Sequence, residues 1–282
     1  MGSKKRAFVT GWPVNHSRSP LIHSYWLKKY DISGEYVKRP AAPDDFEDFI
    51  ARLEKEGFVG GNVTVPHKEA AFSLVEHPQP AAQTLGAVNT VWLEDGVLQG
   101  TNTDGYGFLA NLDDRHPGWD SSANRQKGAL VLGAGGASRA IIYSLMERGF
   151  SSIVIANRTI ARAETLAEYF GSPCRAIEID RAKAGDLDPA IIVNTTSIGM
   201  NDDKSPLDLA DFSTTTIVHD IVYTPLFTPL LGQAQRLGMP VVDGLGMLLH
   251  QAVPGFEKWF GVRPEVDDAL RQILLTDLGE TV

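Results

Sequence analysis

The stretch that decides the fold lies near the middle of the 282-residue chain and reads Ala129-Leu130-Val131-Leu132-Gly133-Ala134-Gly135-Gly136-Ala137-Ser138. The four apolar residues predict a strand, and the small residues after them predict a tight turn into a helix. Such a turn brings backbone N–H groups close to a pyrophosphate at the helix N-terminus, where the helix dipole favours negative charge. Small-residue turns also serve packing alone, and Ser138 stands where the usual fingerprint has Gly or Ala, so the motif by itself leaves both interpretations open. The dinucleotide interpretation assigns to the cofactor Gly133, Ala134, Gly135, Gly136 and Ala137.

The end of the next predicted strand, residues 152–156, indicates which dinucleotide would bind. An NAD-binding fold places Asp or Glu there to bond the ribose 2′-hydroxyl, whereas this chain has Asn157-Arg158-Thr159. A carboxylate would repel a 2′-phosphate, while a guanidinium pairs with it and a hydroxyl can donate to it. Arg162, four residues after Arg158, can extend the same basic clamp. These residues predict NADP, against the alternative that both arginines are ordinary solvated side chains.

Composition and charge limit the class of protein. The chain is long enough for two domains, and no apolar run approaches the roughly 18 residues of a membrane span. The basic Lys4-Lys5-Arg6 is followed by a single predicted strand rather than a signal-peptide apolar region, so we expect a cytoplasmic protein without a membrane partner. A net charge of −9 and a pI near 5.3 disfavour a nucleic-acid partner. Cys174 is the only cysteine, which excludes an intrachain disulfide, and no side-chain spacing predicts a metal site.

The order of strand-like and helix-like segments predicts two α/β domains. A first series has strands at 6–11, 35–39 and 59–63, helices at 20–29 and 44–55, and a hairpin at 88–99 turned at Asp95-Gly96. The polar stretch 113–127 reads as a linker to the second series, whose later strands are predicted at 190–193, 216–219 and 240–242. Two helical segments follow Gly244 and could pack on either domain.

Polar residues cluster where the strands of the first series end. Ketone reduction by hydride needs a proton donor for the developing alkoxide, and a lysine ammonium held by a carboxylate can supply that proton. Lys68 and Asp104 are the candidates for this pair. The alternative is that both are solvated charges, or that Asp104 caps a helix.

Seven blocks of residues lie in order along nearly the whole chain. They are Gly11 to Pro20, Asn62 to Lys68, Gly86 to Thr90, Asn102 to Gly105, Gly133 to Ser138, Asn157 to Thr159, and Asp243 to Leu248 with Gln251. Together these blocks resemble the shikimate dehydrogenase family. The resemblance implies an oxidoreductase that catalyses the reversible, NADPH-dependent reduction of 3-dehydroshikimate to shikimate, a step in chorismate and aromatic amino acid biosynthesis. It implies a substrate domain at residues 1–106, a Rossmann-like doubly wound NADP-binding domain at 107–243, and C-terminal helices at 244–282 that complete the substrate domain.

Carried over position by position, the resemblance makes Lys68 the proton donor to the carbonyl oxygen and Asp104 its partner, which also binds a ring hydroxyl. Asn89 and Gln251 would bond the other ring hydroxyls. The substrate carboxylate would be held by Ser17 and Ser19, helped by Thr64 and Tyr223. The nicotinamide side of the cofactor would be met by Thr195, Thr196, Ser197, Met200 and Gly244.

Two alternatives to this function stay open at the level of sequence. A quinate or aminoshikimate dehydrogenase of the same fold would share nearly every block, and a non-catalytic NADP-sensing module would keep the scaffold. Thr195 stands where the family commonly has alanine, which removes no predicted role. His16 and His67 lie inside the blocks, but we expect them to structure a loop or face solvent. We expect the protein to be a monomer or a homodimer with a small-molecule substrate.

Overall fold

A computed structural model describes residues 4–182 and 187–280 of the chain. The chain divides into two compact units, of which the first comprises Met1–Thr103 with Leu249–Val282 and the second comprises Asp104–Leu248. Within the described residues, no helix is both long enough and apolar enough to cross a membrane.

The two units contain strands and helices in alternation along most of the chain. The strands are β1 (Lys5–Thr10), β2 (Gly34–Lys38), β3 (Phe58–Val63), β4 (Thr90–Glu94), β5 (Val97–Thr101), β6 (Ala129–Leu132), β7 (Ile153–Asn157), β8 (Cys174–Glu178), β9 (Ile191–Asn194), β10 (Ile217–Asp220) and β11 (Val241–Val242). The helices are α1 (Ser19–Lys29), α2 (Phe46–Ala51), α3 (Lys68–Leu74), α4 (Pro80–Leu85), α5 (Asp104–Arg115), α6 (Ser122–Lys127), α7 (Gly136–Glu147), α8 (Ile160–Phe170), α9 (Pro229–Arg236), α10 (Gly244–His250), α11 (Ala252–Phe260) and α12 (Asp268–Leu278).

The first unit is built on a mixed sheet in the order β2-β1-β3-β4-β5. β1 pairs in parallel with β2 and β3, whereas β4 runs antiparallel to both β3 and β5. β4 and β5 form the predicted hairpin, and the φ angles of Asp95 and Gly96 are 52° and 77°. Two successive positive φ values are what a type I′ hairpin turn requires, which explains the Asp-Gly pair at this point.

Apolar side chains cover both faces of the first sheet. Phe8, Phe46, Phe49 and Val91 belong to one buried cluster, to which α2 and α3 contribute. On the other side, α1 and α11 bring together an aromatic group that includes Trp26 and Trp259. α11 contacts β3 and β4, and the Trp259 indole donates to the Val91 carbonyl at 2.8 Å. The C-terminal helices α11 and α12 thus return to the first unit, as the resemblance implied.

The second unit is a parallel six-stranded sheet in the order β11-β10-β9-β6-β7-β8. The chain starts in the middle at β6, winds outward through β7 and β8, and then crosses to β9, β10 and β11 on the other side. This is the predicted doubly wound order, with its switch point between β6 and β9, where such folds bind their ligands. Val131 belongs to a buried cluster with α7, and its neighbours Leu130 and Leu132 belong to the opposite cluster, so both faces of the sheet are covered.

Several sequence-based boundaries were wrong. The helix predicted at 44–55 ends at Ala51, because tight turns follow and lead to Gly57, whose φ is 78°. The stretch 113–127 is not a plain linker, since α6 forms within it and Trp119 is buried against Phe108 and Phe150. β8 was missed because this edge strand is only partly buried and lacks a clear apolar pattern.

Candidate active site

The dinucleotide turn of the second unit lies between β6 and α7. Gly133 has a φ of 108°, and a Cβ added there would lie 2.7 Å from the Thr195 hydroxyl, so glycine is required on both grounds. Gly135 and Gly136 are exposed, and a Cβ added to either would meet no atom within 4 Å. The N-terminus of α7 is therefore open to a ligand, and the N–H groups of its first turn favour a phosphate.

Ser138, the departure from the usual fingerprint, is fully buried and ties this turn together. The Gly135 N–H donates to Ser138 Oγ at 3.0 Å, and Ser138 Oγ lies 2.7 Å from Thr195 Oγ1. Thr195 Oγ1 donates to the Leu132 carbonyl at 2.7 Å. Because the single hydroxyl proton of Thr195 is used there, Ser138 donates to Thr195. Two positions that looked unusual in the sequence thus contact each other and fix the turn against the loop after β9.

The predicted phosphate clamp lies at the end of β7. Asn157 is the last residue of that strand, and its amide donates to the Thr159 carbonyl at 2.9 Å. Arg158, Thr159 and Arg162 are exposed, and neither guanidinium forms an ion pair with a described residue. Two such cations at this strand end fit a 2′-phosphate, and no carboxylate occupies Asn157-Arg158-Thr159, where an NAD-binding fold would place one.

Two loops at the ends of β9 and β10 are held by one buried carboxylate. Asp220 accepts hydrogen bonds from the Asn194 amide at 3.0 Å, the Thr228 hydroxyl at 2.7 Å and the Val222 N–H at 3.0 Å. Burial raises the pKa of Asp220, and these three donors oppose the shift. Asn194 also accepts from the Thr196 N–H and hydroxyl at 3.0 and 2.8 Å. Sequence reasoning did not single out Asp220, although a carboxylate directly after a buried strand was an available signal.

These loops carry most of the residues predicted on the nicotinamide side. Thr195 and Thr196 are half-buried, while Ser197 and Met200 are exposed. Tyr223 is half-buried, three residues after β10. Gly244 is buried at the start of α10, and a Cβ there would lie 2.4 Å from the Ile221 carbonyl oxygen. Close packing alone thus requires glycine at 244, whatever its role toward a cofactor.

The two predicted catalytic residues start helices in different units. Lys68 is the first residue of α3, which begins two residues after Pro66, and its side chain is half-buried. Asp104 is half-buried at the first position of α5. A carboxylate in a first turn interacts favourably with the helix dipole, so its structural role and a catalytic one are compatible.

The histidines of the sequence blocks take the expected places. His67 is buried, lies 2.8 Å from the Ala41 carbonyl oxygen and stacks on Phe46 at 4.3 Å. His16 is exposed. Neither arrangement is that of a general base.

Ser17 and Ser19 lie at the start of α1. Ser17 Oγ accepts from the Ser19 N–H at 3.3 Å and donates to Ser19 Oγ at 3.3 Å. Ser19 is buried, whereas Ser17 is half-buried. Arg18, between them, pairs with Asp277 at 2.9 Å. The hydroxyls rather than this guanidinium are thus the groups available for a carboxylate, and Ser17 contributes to the helix start at the same time.

A buried polar cluster surrounds Asn89 in the first unit. Asn89 Oδ1 accepts from the Thr103 N–H at 2.9 Å, the Thr90 hydroxyl at 2.9 Å and the Thr103 hydroxyl at 3.2 Å. A backbone N–H can only donate, so this contact identifies the oxygen and leaves the NH₂ on the other side of the amide. Asn62, buried at the end of β3, donates to Thr90 Oγ1 at 3.1 Å. Asn62 stands in a sequence block but was not among the predicted site residues.

The remaining predicted residues are placed by the same elements. Thr64 follows β3 and is half-buried, and its N–H donates to the Thr10 carbonyl at 2.9 Å. Gln251 is half-buried at the N-terminus of α11. The first unit therefore holds Ser17, Ser19, Thr64, Lys68, Asn89 and Gln251. Among described residues, no group of His, Cys, Asp and Glu side chains could hold a metal ion.

The fold and the site residues define a two-unit α/β protein with a dinucleotide turn and a separate, polar ligand-binding unit. Comparison with known proteins gives the family. Residues 9–91 match the shikimate dehydrogenase substrate-binding domain, residues 120–199 match shikimate/quinate 5-dehydrogenase, and residues 244–274 match the shikimate 5′-dehydrogenase C-terminal domain. The chain belongs to the shikimate dehydrogenase family.

Individual relatives agree with this assignment. A shikimate dehydrogenase (NADP(+)) of Rhizobium etli is 54% identical over 276 residues, which cover 97% of this chain and 95% of the relative. A relative of the same name from Brucella abortus is 51% identical, with 99% and 97% coverage. The crystal structure of shikimate 5-dehydrogenase from Thermus thermophilus in complex with NADP(H) and shikimate matches with a TM-score of 0.82 and 36% identity. That match covers 95% of this chain and 99% of the other.

Proposed function

We propose that this chain is an NADP-dependent shikimate dehydrogenase that catalyses the reversible reduction of 3-dehydroshikimate to shikimate, in chorismate and aromatic amino acid biosynthesis. The observation that carries the proposal is the match of nearly the whole chain to a structure that binds both NADP(H) and shikimate. The curated relatives favour this activity over the quinate, aminoshikimate and NADP-sensing alternatives.

The cofactor would be held by the second unit. Its pyrophosphate fits the open N-terminus of α7 at Gly133, Ala134, Gly135, Gly136 and Ala137, where the glycines leave room for close approach. Its 2′-phosphate fits the exposed Arg158 and Arg162, with Asn157 and Thr159 beside them. NADPH, when bound, supplies the hydride for the substrate carbonyl carbon. Thr195, Thr196, Ser197, Met200 and Gly244 would form the nicotinamide side.

The substrate would be held mainly by the first unit. Ser17 and Ser19 donate to the carboxylate, helped by Thr64 and Tyr223. Asn89 and Gln251 bond the ring hydroxyls, and the NH₂ is the part of the Asn89 amide that serves here because its oxygen is already saturated by Thr90 and Thr103. A buried amide whose ligand hydroxyl is missing loses a hydrogen bond, which makes hydroxyl recognition selective.

Lys68 is the proposed proton donor. As the hydride reaches the carbonyl carbon, negative charge develops on the oxygen, and the Lys68 ammonium transfers a proton to it. Asp104 would accept a hydrogen bond from the lysine and from a ring hydroxyl, and so orient both. In the reverse direction, neutral Lys68 takes the proton from the shikimate hydroxyl.

The organisation of the chain belongs to the same proposal. Residues 1–106 would form the substrate domain, 107–243 the NADP-binding domain, and 244–282 the helices that complete the substrate domain. The two compact units support this assignment except at its borders, because residues 104–106 and 244–248 fall in the second unit. We further propose a cytoplasmic monomer or homodimer without a nucleic-acid or membrane partner, which the net charge of −9 supports.

Initial rates of shikimate and quinate oxidation, each with NADP and with NAD, test the proposed function on the purified protein. We expect the shikimate and NADP combination to be fastest. Lys68→Ala should lower kcat by about 10²–10⁴, the usual contribution of a positioned acid or base, with a smaller change in KM. Lys55→Ala, at an exposed lysine of the same unit, is the matched control. Wild-type turnover in Lys68→Ala would show that Lys68 is only a solvated charge.

A further inference from the structure

Tyr36 is a buried side chain that none of the proposed roles uses. It lies on β2 and is 5% exposed. Its ring stacks on His23 with centroids 4.0 Å apart and is tilted against Trp259 at 5.8 Å. The ring is thus held by aromatic neighbours, and the hydroxyl is the only polar part of the side chain.

The hydroxyl of Tyr36 bonds to Asn62 in one definite direction. The two oxygen atoms, Tyr36 Oη and Asn62 Oδ1, are 2.6 Å apart. Asn62 uses its NH₂ group on the Asn89 carbonyl at 3.3 Å and on Thr90 Oγ1 at 3.1 Å, so its oxygen is the atom that faces Tyr36. An amide oxygen only accepts, and burial raises the pKa of Tyr36 well above its usual value. Tyr36 therefore donates its single proton to Asn62.

The same chain of hydrogen bonds continues to the proposed ring-hydroxyl ligand. Asn62 donates to Thr90 Oγ1, and Thr90 donates to Asn89 Oδ1 at 2.9 Å. Tyr36 is therefore the first donor in a series of hydrogen bonds that ends at the Asn89 oxygen. We infer that Tyr36 is a positioning residue for substrate binding, which fixes, through Asn62 and Thr90, the orientation of the Asn89 amide that bonds a ring hydroxyl. This inference rests on the proposed function.

Replacing the tyrosine hydroxyl tests the inference with minimal change in shape. Tyr36→Phe should raise the KM for shikimate about tenfold, the change expected from one buried hydrogen bond, because the Asn62 oxygen loses its donor. The kcat should change by less than about threefold, and the KM for NADP should not change. The matched control is Tyr25→Phe on α1, whose hydroxyl bonds to Asp267 at 2.8 Å, and it should keep wild-type kinetics.

A double-mutant cycle separates positioning from a general loss of structure. If Tyr36 acts through Asn62, Tyr36→Phe should raise KM much less in an Asn62→Ser background than in the wild type. Independent, multiplicative effects on KM, or an unchanged KM in Tyr36→Phe, would overturn the inference. If Tyr36→Phe does not fold, the cycle of Asn62→Ser with Thr90→Val replaces it, because Asn62 donates to Thr90, and independent effects there would also overturn the inference.

The two proposals fail in distinguishable ways. A wild-type protein that does not oxidise shikimate with NADP would overturn the proposed function and the role of Tyr36 with it. An active wild-type protein whose Tyr36→Phe variant keeps its KM would overturn only the role of Tyr36.

Discussion

Two buried histidines lead to a quantitative prediction about stability in acid. His23, in the first unit, is fully buried, and among described residues neither of its ring nitrogens has a hydrogen-bond partner. Burial lowers the pKa of His23 to about 3, with Asn62 opposing the shift. His219, in the second unit, is also fully buried, and burial lowers its pKa to about 4, with Asp243 opposing. Both rings are therefore neutral in the folded protein well below the usual histidine pKa of 6.5.

The sign of the effect follows from proton binding. Below pH 6.5 the unfolded chain binds a proton at each histidine while the folded protein does not, so the free energy of unfolding falls as the pH falls. Each pH unit is worth 1.36 kcal/mol per histidine, so at pH 5 each ring has cost about 2 kcal/mol relative to pH 8, and the two together about 4 kcal/mol. Between pH 5 and 6, where the unfolded histidines are not yet fully protonated, their combined contribution to the slope is about 2.4 kcal/mol per pH unit.

Urea unfolding at half-unit steps from pH 5 to pH 8, followed by circular dichroism, measures this slope. His23→Phe keeps a ring between Tyr36 and Phe256 but cannot bind a proton, so the slope between pH 5 and 6 should fall by about 1.2 kcal/mol per pH unit. Burial raises the pKa of Asp220, which contributes with the opposite sign. That contribution is common to both proteins, and the difference between them isolates His23. His77→Gln, at an exposed position, is the control. Identical slopes for wild type and His23→Phe would refute the reasoning.

Two further predictions concern the ligands. Arg158→Ala should raise the KM for NADP by roughly 10- to 100-fold, since one charged hydrogen bond is worth about 1.5–3 kcal/mol, while leaving NAD use nearly unchanged; equal use of both cofactors by the unmodified protein would contradict the clamp. Replacing Ser17 and Ser19 together by alanine should weaken shikimate binding in a calorimetric titration without changing NADP binding. A loss of folding in that variant would instead show that the start of α1 is the main role of the two serines.

The elements that the sequence predicted well are those whose signals are local. β6 and its turn follow from four apolar residues and a run of small ones, and the β4–β5 hairpin follows from Asp95-Gly96. Ser138 shows what the local sequence cannot predict. Its departure from the fingerprint is explained only by its hydrogen bond with Thr195, which lies 57 residues away in the chain. No residue pattern near either position indicates that the two hydroxyls meet.

The candidate site shows the same difference between local sequence signals and long-range contacts. The resemblance implied that Ser17, Ser19 and Asn89 are ligands, but it did not indicate the residues that position them. Tyr36 lies on a strand with an unremarkable sequence, and its hydroxyl acquires a role only because β2 and β3 both pair with β1. This juxtaposition is set by sheet topology, which single residues do not encode.

The two units recognise their proposed ligands by different physics. On the cofactor side, Arg158 and Arg162 are exposed, so their attraction for a phosphate is long-ranged and weakened by salt. On the substrate side, Asn89 and its partners are buried, and their hydrogen bonds are little screened but depend strongly on geometry. A flexible clamp suits a phosphate that only has to be distinguished from a hydroxyl. A rigid amide whose oxygen is already hydrogen-bonded suits a ring whose hydroxyls, in the proposed mechanism, must be placed so that Lys68 meets the carbonyl oxygen. On that proposal, the buried residues that hold the substrate ligands in place matter for catalysis as much as the ligands themselves.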